Sequence, residues 1–180
     1  MNALYAIFRL TTRIEALCLQ LGIAAIALLT ISNVLLRAIT GHSLIFAGEL
    51  NRFLIVWITF LGIGYGASSG RHIRMTALSD ALPEAARKAL MLAVTALTSA
   101  LLAWLTWLSL AHVLGTVRQL GAVSPVLQVP LYLVYLAAPL GLALGAVQYF
   151  LAFAQNLLSP GVYIAYGRPD EHEPTPPAAG

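Results

Sequence analysis

Four stretches of about twenty residues, roughly 16–36, 50–69, 89–114 and 130–155, are uncharged through their interiors, and this constrains the chain more than anything else in it. A hydrocarbon core of about 30 Å is crossed by roughly 20 apolar residues in a helix, so each stretch is long enough to span a bilayer. The expected class is an all-α integral membrane protein with four transmembrane helices. Residues 1–158 form one transmembrane domain, and 159–180 a C-terminal cytoplasmic tail, mostly disordered because it is rich in proline and acid. Composition agrees, with 59% hydrophobic and 9% charged residues where soluble domains carry about a quarter charged.

The net charge of +3 raises the question of nucleic acid. The cations are scattered at helix ends, where anionic headgroups account for them, and no basic face is present, so nucleic acid is not an expected partner. A lone Cys18 excludes an internal disulfide or a cysteine-built metal site. The first apolar run could be read as a secretory signal behind Arg9 and Arg13. It continues to Leu36, longer than a signal core, and is read as a retained span.

Along the chain, residues 2–14 suggest a short interfacial amphipathic helix ahead of the first span. Gln20 and Asn33 within that span are read as partners in interhelical hydrogen bonds in preference to a substrate path, since neither ionises and no partner charge lies in the span. Glu49 and Arg52 stand one helical turn apart at the start of the second span, either as a snorkelling pair at the headgroups or as a partner contact. Trp57 lies deep enough to pack against protein. Gly62, Gly66 and Gly70 recur every fourth residue and give one face where another backbone can come close. Residues 71–82 suggest a second surface helix, with Ser79 or Asp80 capping the third span and Pro83 in its first turn.

Trp104 and Trp107 mark the far end of that third span. Pro125 lies in the following loop, Pro130 opens the fourth span, Pro139 predicts a kink within it, and Gly141 and Gly145 repeat the close-packing spacing. Counting Lys and Arg, seven fall on one side (Arg9, Arg13, Arg71, Arg74, Arg87, Lys88 and Arg168) against three on the other (Arg37, Arg52 and Arg118). The excess predicts both termini in the cytoplasm.

No Asp, Glu, Lys or Arg is expected deep in the spans, Glu15 being placed at the very start of the first. An autonomous ion-coupled pump would keep such a residue at depth. No phosphate-binding loop is present, histidines are not paired at depth as haem would require, and neither cofactor, metal nor catalytic residue is expected. By elimination the chain is a partner subunit or a passive module; two alternatives are a self-contained small proton-coupled exporter working as a homodimer with Glu15 as its proton site, and a membrane anchor carrying haem or quinone for a redox enzyme.

Three motifs sharpen the choice. They are Glu49, Arg52, Phe53, Trp57, Phe60, Leu61 and Gly62; then Gly70, His72 and Ile73 with Leu82 and Pro83; then Ser124, Pro125, Leu127, Val129, Pro130, Tyr132, Tyr135, Pro139 and Gly141. With them the chain resembles the small membrane subunit, DctQ-like, of the tripartite ATP-independent periplasmic (TRAP) transporters, over nearly all four spans. It departs from the pattern at Gly48, where many members have a second glutamate, and at Thr76, where many have an aspartate. The resemblance implies sodium-driven uptake of an organic acid across a bacterial inner membrane. It implies two protein partners besides membrane lipids: a periplasmic substrate-binding protein, and a large membrane subunit that holds the substrate and sodium sites. The small subunit would then be a fixed brace. Glu49, Arg52, Trp57, Ser124, Pro125 and Pro130 are the candidates for partner contact or docking, and Gly62, Gly66, Gly141, Gly145 and Pro139 for helix packing.

Overall fold

Inside a bilayer each backbone N–H and C=O has to be satisfied within the chain, which leaves long uncharged runs only the helix. A computed structural model describes residues 2–68, 83–158, 163–165 and 168–169. It contains α1 (Asn2–Thr40), α2 (Ala47–Ser68), α3 (Glu84–His112), α4 (Leu131–Tyr135) and α5 (Ala137–Leu158). Among the described residues four candidate spans result, Leu10–Thr40, Ala47–Ser68, Ala85–Val117 and Leu131–Leu158. The expected spans each fall on one of them.

The N-terminal stretch is not set apart as a separate surface helix. With no Gly or Pro before Gly22, α1 runs from Asn2 through the first span without a break. Gly41, at φ 72°, ends it, its N–H still bonding the Arg37 carbonyl. Pro83 stands just outside α3 as its N-cap, with ψ 152°, and not inside the first turn. The surface helix expected at 71–82, with Ser79 and Asp80, lies outside the described residues, as does most of the tail. Within the tail, β1 (Tyr163–Ala165) and β2 (Arg168–Pro169) pair antiparallel.

The far end of α3 is drawn out by a π turn, Val113–Val117, with the Arg118 N–H on the Val113 carbonyl at 3.0 Å. The fourth span is interrupted at Leu136, between α4 and α5, and Pro139 sits in the first turn of α5. The interruption follows from proline chemistry: Pro139 has no N–H for the Tyr135 carbonyl, and its ring would clash with that carbonyl in a continuous helix.

Helix α5 is the centre of the bundle. It packs against α2 on one side and α3 on the other, while α1 leans on α2. Its buried line runs through Ala137, Gly141, Gly145, Gln148, Ala152 and Asn156, mostly small residues. Small side chains suit a membrane interior, where association rests on close packing and interhelical hydrogen bonds because lipid is as apolar as the protein. Ser99 of α3 donates to the Ala146 carbonyl of α5 at 3.2 Å, and Thr95 is satisfied by the Met91 carbonyl of its own helix at 2.6 Å. On the other side, Asn51 of α2 donates to Thr30 of α1 at 3.2 Å. The outward faces of α1 and α3, with Leu28, Val34, Leu97 and Trp107 more than half exposed, suit lipid or a protein neighbour.

Candidate docking end and packing site

The α1–α2 connection and the loop between α3 and α4 lie at the same end of the bundle, and a carboxylate ties them together. Glu49 is in the first turn of α2. Its Oε2 accepts the N–H of Val126 at 3.2 Å and of Leu127 at 2.7 Å, across a sequence separation of almost eighty residues. Glu49 makes no ion pair with Arg52 among the described residues, and Arg52 is exposed. Two converging backbone donors held at short range satisfy the carboxylate better than one flexible, solvated cation.

The loop that Glu49 grips is closed on itself. The Ser124 N–H donates to the Val129 carbonyl at 2.9 Å, and the Val129 N–H returns to Ser124 Oγ at 3.1 Å. Val123 and Pro130 pair across it, with the Leu131 N–H on the Ala122 carbonyl at 2.9 Å. Pro130 is the N-cap of α4, where its missing N–H is not needed. Gln128 adopts φ 54°, a left-handed conformation unusual outside glycine, and its amide donates to the Pro125 carbonyl at 3.1 Å. Ser124 is fully buried at the base of the loop, while Pro125, Val126 and Gln128 are exposed at its tip. Ser124→Ala should cost about 1–2 kcal/mol in a thermal or denaturant titration, because it strands the Val129 N–H. The connection from α1 is held in a similar way, Asn33 Oδ1 accepting the Leu44 N–H at 2.7 Å. Asn33 thus fastens the turn, whereas Gln20, expected to bond another helix, faces outward with no partner among the described residues.

The candidate packing residues divide by what a methyl group would meet at each. At Gly141 a Cβ would collide with the backbone carbonyl of Phe60, so α2 and α5 touch backbone to backbone there. At Gly145 it would lie 3.1 Å from Ile63 and 3.3 Å from Leu102, at the junction of α2, α3 and α5. Gly62 is looser, its nearest neighbour being Leu19 at 3.9 Å, and Gly66 is half-buried. The tightest glycines of the α1–α2 seam are others: Gly22, where a Cβ would come 2.8 Å from Ile58, and Gly64. They fall outside the i, i+4, i+8 series, and hydrophobic periodicity does not distinguish them. Trp57 is half-buried on α2.

Glu15 lies in the second turn of the candidate span Leu10–Thr40 and is buried between helices, 3% exposed, where α1 crosses α2 and reaches α5. The missing side chain of Gly64 makes room for it, since a Cβ there would lie 2.8 Å from Glu15 Oε1. Gln148 of α5 donates to both carboxyl oxygens, at 3.4 and 3.3 Å. Glu15 is one of several polar residues on α1 and Gln148 one of several on α5, so their pairing carries no sequence signal of its own.

These side chains fasten helix to helix and loop to helix, and no group of three or more metal-ligating side chains occurs among the described residues. The fold and the site define a four-span membrane protein built to hold its own shape. The chain belongs to the DctQ component family of the tripartite ATP-independent periplasmic transporters, whose profile matches residues 26–159. It is 40% identical over 166 residues to the ectoine TRAP transporter small permease protein TeaB of Halomonas elongata, covering 92% of this chain and 86% of that protein. It is also 32% identical over 113 residues to the C4-dicarboxylate TRAP transporter small permease protein DctQ of Rhodobacter capsulatus, covering 61% of this chain and 48% of that one. It is therefore the small permease subunit of a TRAP transporter, a transport component and not an enzyme. Of the readings left open above, the partner subunit stands and the self-contained exporter does not.

Proposed function

We propose that this subunit is a fixed brace for the large TRAP membrane subunit, in sodium-driven uptake that depends on a periplasmic substrate-binding protein. The observation that carries this reading is the locked core, in which α5 is seated on the α2 backbone at Gly141 and wedged between α2 and α3 at Gly145. A block with backbone-to-backbone contact does not deform easily, and that suits the part of a machine against which another part slides. The polar groups between its helices are engaged in holding them, Ser99 on Ala146 and Gln148 on Glu15.

In this reading the protein lies in a bacterial inner membrane with both termini cytoplasmic, as the excess of Lys and Arg at one end supports. The end bearing Glu49, Arg52, Ser124, Pro125 and Pro130 then faces the periplasm and the binding protein. Trp57 and the α2 face of Gly62 and Gly66 serve contact within or between subunits, and lipid covers the remaining apolar faces. The solute is an organic acid, such as a dicarboxylate or sugar acid. The names of the two relatives support a small carboxylate-bearing solute, ectoine in one and a C4-dicarboxylate in the other. The choice among such solutes rests with the partner proteins.

Purification of the tagged chain in mild detergent should bring down a large polytopic membrane subunit. In liposomes, uptake should need that subunit, the binding protein and an inward sodium gradient together. Solute flux through vesicles containing this chain alone would overturn the reading.

A further inference from the structure

Among the described residues, Glu49 hydrogen-bonds the first turn of α2 to the loop between α3 and α4. The charge of a docking residue should project from the surface. That of Glu49 does not: the side chain is half-buried and Oε2 is taken up by two consecutive backbone N–H groups, those of Val126 and Leu127. Arg52, one turn further on, is the group left exposed. The closing bonds of the loop lie at its base, between Ser124 and Val129 and between Ala122 and Leu131, and the bond across the tip, the Gln128 amide on the Pro125 carbonyl at 3.1 Å, is exposed, so the firm hold on the tip comes from Glu49. At the tip Gln128 sits at φ 54°, a conformation that persists only where the surroundings impose it. The tip also exposes apolar surface, Val126 at 44%.

We infer that Glu49 is a positioning residue: its carboxylate holds the 122–131 loop in the shape that receives the binding protein, and it is not itself a contact. The inference rests on the proposed docking at this end of the bundle. A loop held in its bound shape does not have to be ordered during association, so the latch acts on the affinity of docking and leaves the transport step alone.

The test uses the complete transporter, co-purified with its large subunit and reconstituted, with uptake measured against binding-protein concentration. Backbone hydrogen exchange is followed in the peptide containing Val126 and Leu127. In Glu49→Ala the exchange should quicken and the half-saturating concentration rise about tenfold, with the saturated rate within about twofold. Glu49→Gln, which keeps an acceptor oxygen, should fall between the two, and recovery of the large subunit with each variant reports intact assembly.

Unchanged exchange in Glu49→Ala overturns the latch. So does a raised exchange with unaltered half-saturation, if Val126→Asp at the exposed tip does raise it, since docking then occurs at the loop without needing the hold. If exchange rises and neither variant moves the half-saturation, the docking reading itself has failed and the inference falls with it.

Discussion

Replacing Gly141 by alanine is expected to destabilise the bundle by about 3 kcal/mol, at the upper end of ordinary overpacking, and replacement by leucine to prevent its assembly. The added carbon would occupy space held by the Phe60 carbonyl of α2. A flexible side chain in that place could turn aside, but a carbonyl inside a helix can yield only if α2 moves. Because α5 also packs on α3, the displacement would be passed through the bundle. Gly62→Ala is the matched control. Its nearest neighbour at 3.9 Å is an ordinary van der Waals contact, and alanine gains helix propensity of up to about 1 kcal/mol, so stability should hold or rise slightly. Unfolding of both variants in detergent micelles, followed by loss of helical signal, separates them. Equal stability of Gly141→Ala and the parent would mean that α2 and α5 do not meet as described.

The second large effect is expected at Glu15. Glu15→Ala removes the acceptor of the Gln148 amide in a place water does not reach, and should cost about 2–3 kcal/mol, the penalty of a stranded buried donor together with a small cavity. Glu15→Gln should lie within about 1 kcal/mol of the parent, because the hydrogen-bonding partner is kept. There is a reason it could even gain: Gln148 Oε1 is buried without a partner, and the new amide can donate to it while accepting from Gln148 Nε2. Substituting both Glu15 and Gln148 by leucine should recover most of the loss from Glu15→Ala, since an apolar pair leaves nothing unsatisfied. A double-mutant cycle measures the coupling. Transport provides the functional arm. In a brace Glu15→Gln leaves uptake near parental levels, whereas a proton-carrying carboxyl at this position would make the same variant inactive.

Both effects turn on contacts between helices far apart in the chain, which residue order alone does not specify. Gly141 and Gly145 stood out by their spacing, and so did Gly62. Spacing identifies a face, but not what lies opposite it, and of Gly62, Gly141 and Gly145 it is Gly141 that faces a backbone carbonyl. Gly22 and Gly64 have no such signal in the sequence, because the residues that crowd them, Ile58 and Glu15, belong to the other helix of the α1–α2 pair. For Glu49 the local neighbour Arg52 was the obvious partner, yet the bonds formed are to Val126 and Leu127. The two motifs that contain these residues occur together in the sequence, and their physical connection is invisible until the chain has folded.

What the sequence determined by itself is the class of protein. Four uncharged runs can satisfy their backbones in a membrane only as helices, the breaks fall where Gly41 and Pro139 require them, and the motifs on α2 and around Pro130 identify the family. The tertiary structure alone decided which small residue lies under a neighbour's backbone, that Glu15 is enclosed, and that Glu49 holds a loop. The division has a physical cause: helix formation in lipid is a local consequence of hydrogen bonding and apolarity, while the use of a polar or small side chain depends on the group that a distant segment brings to within about 3 Å.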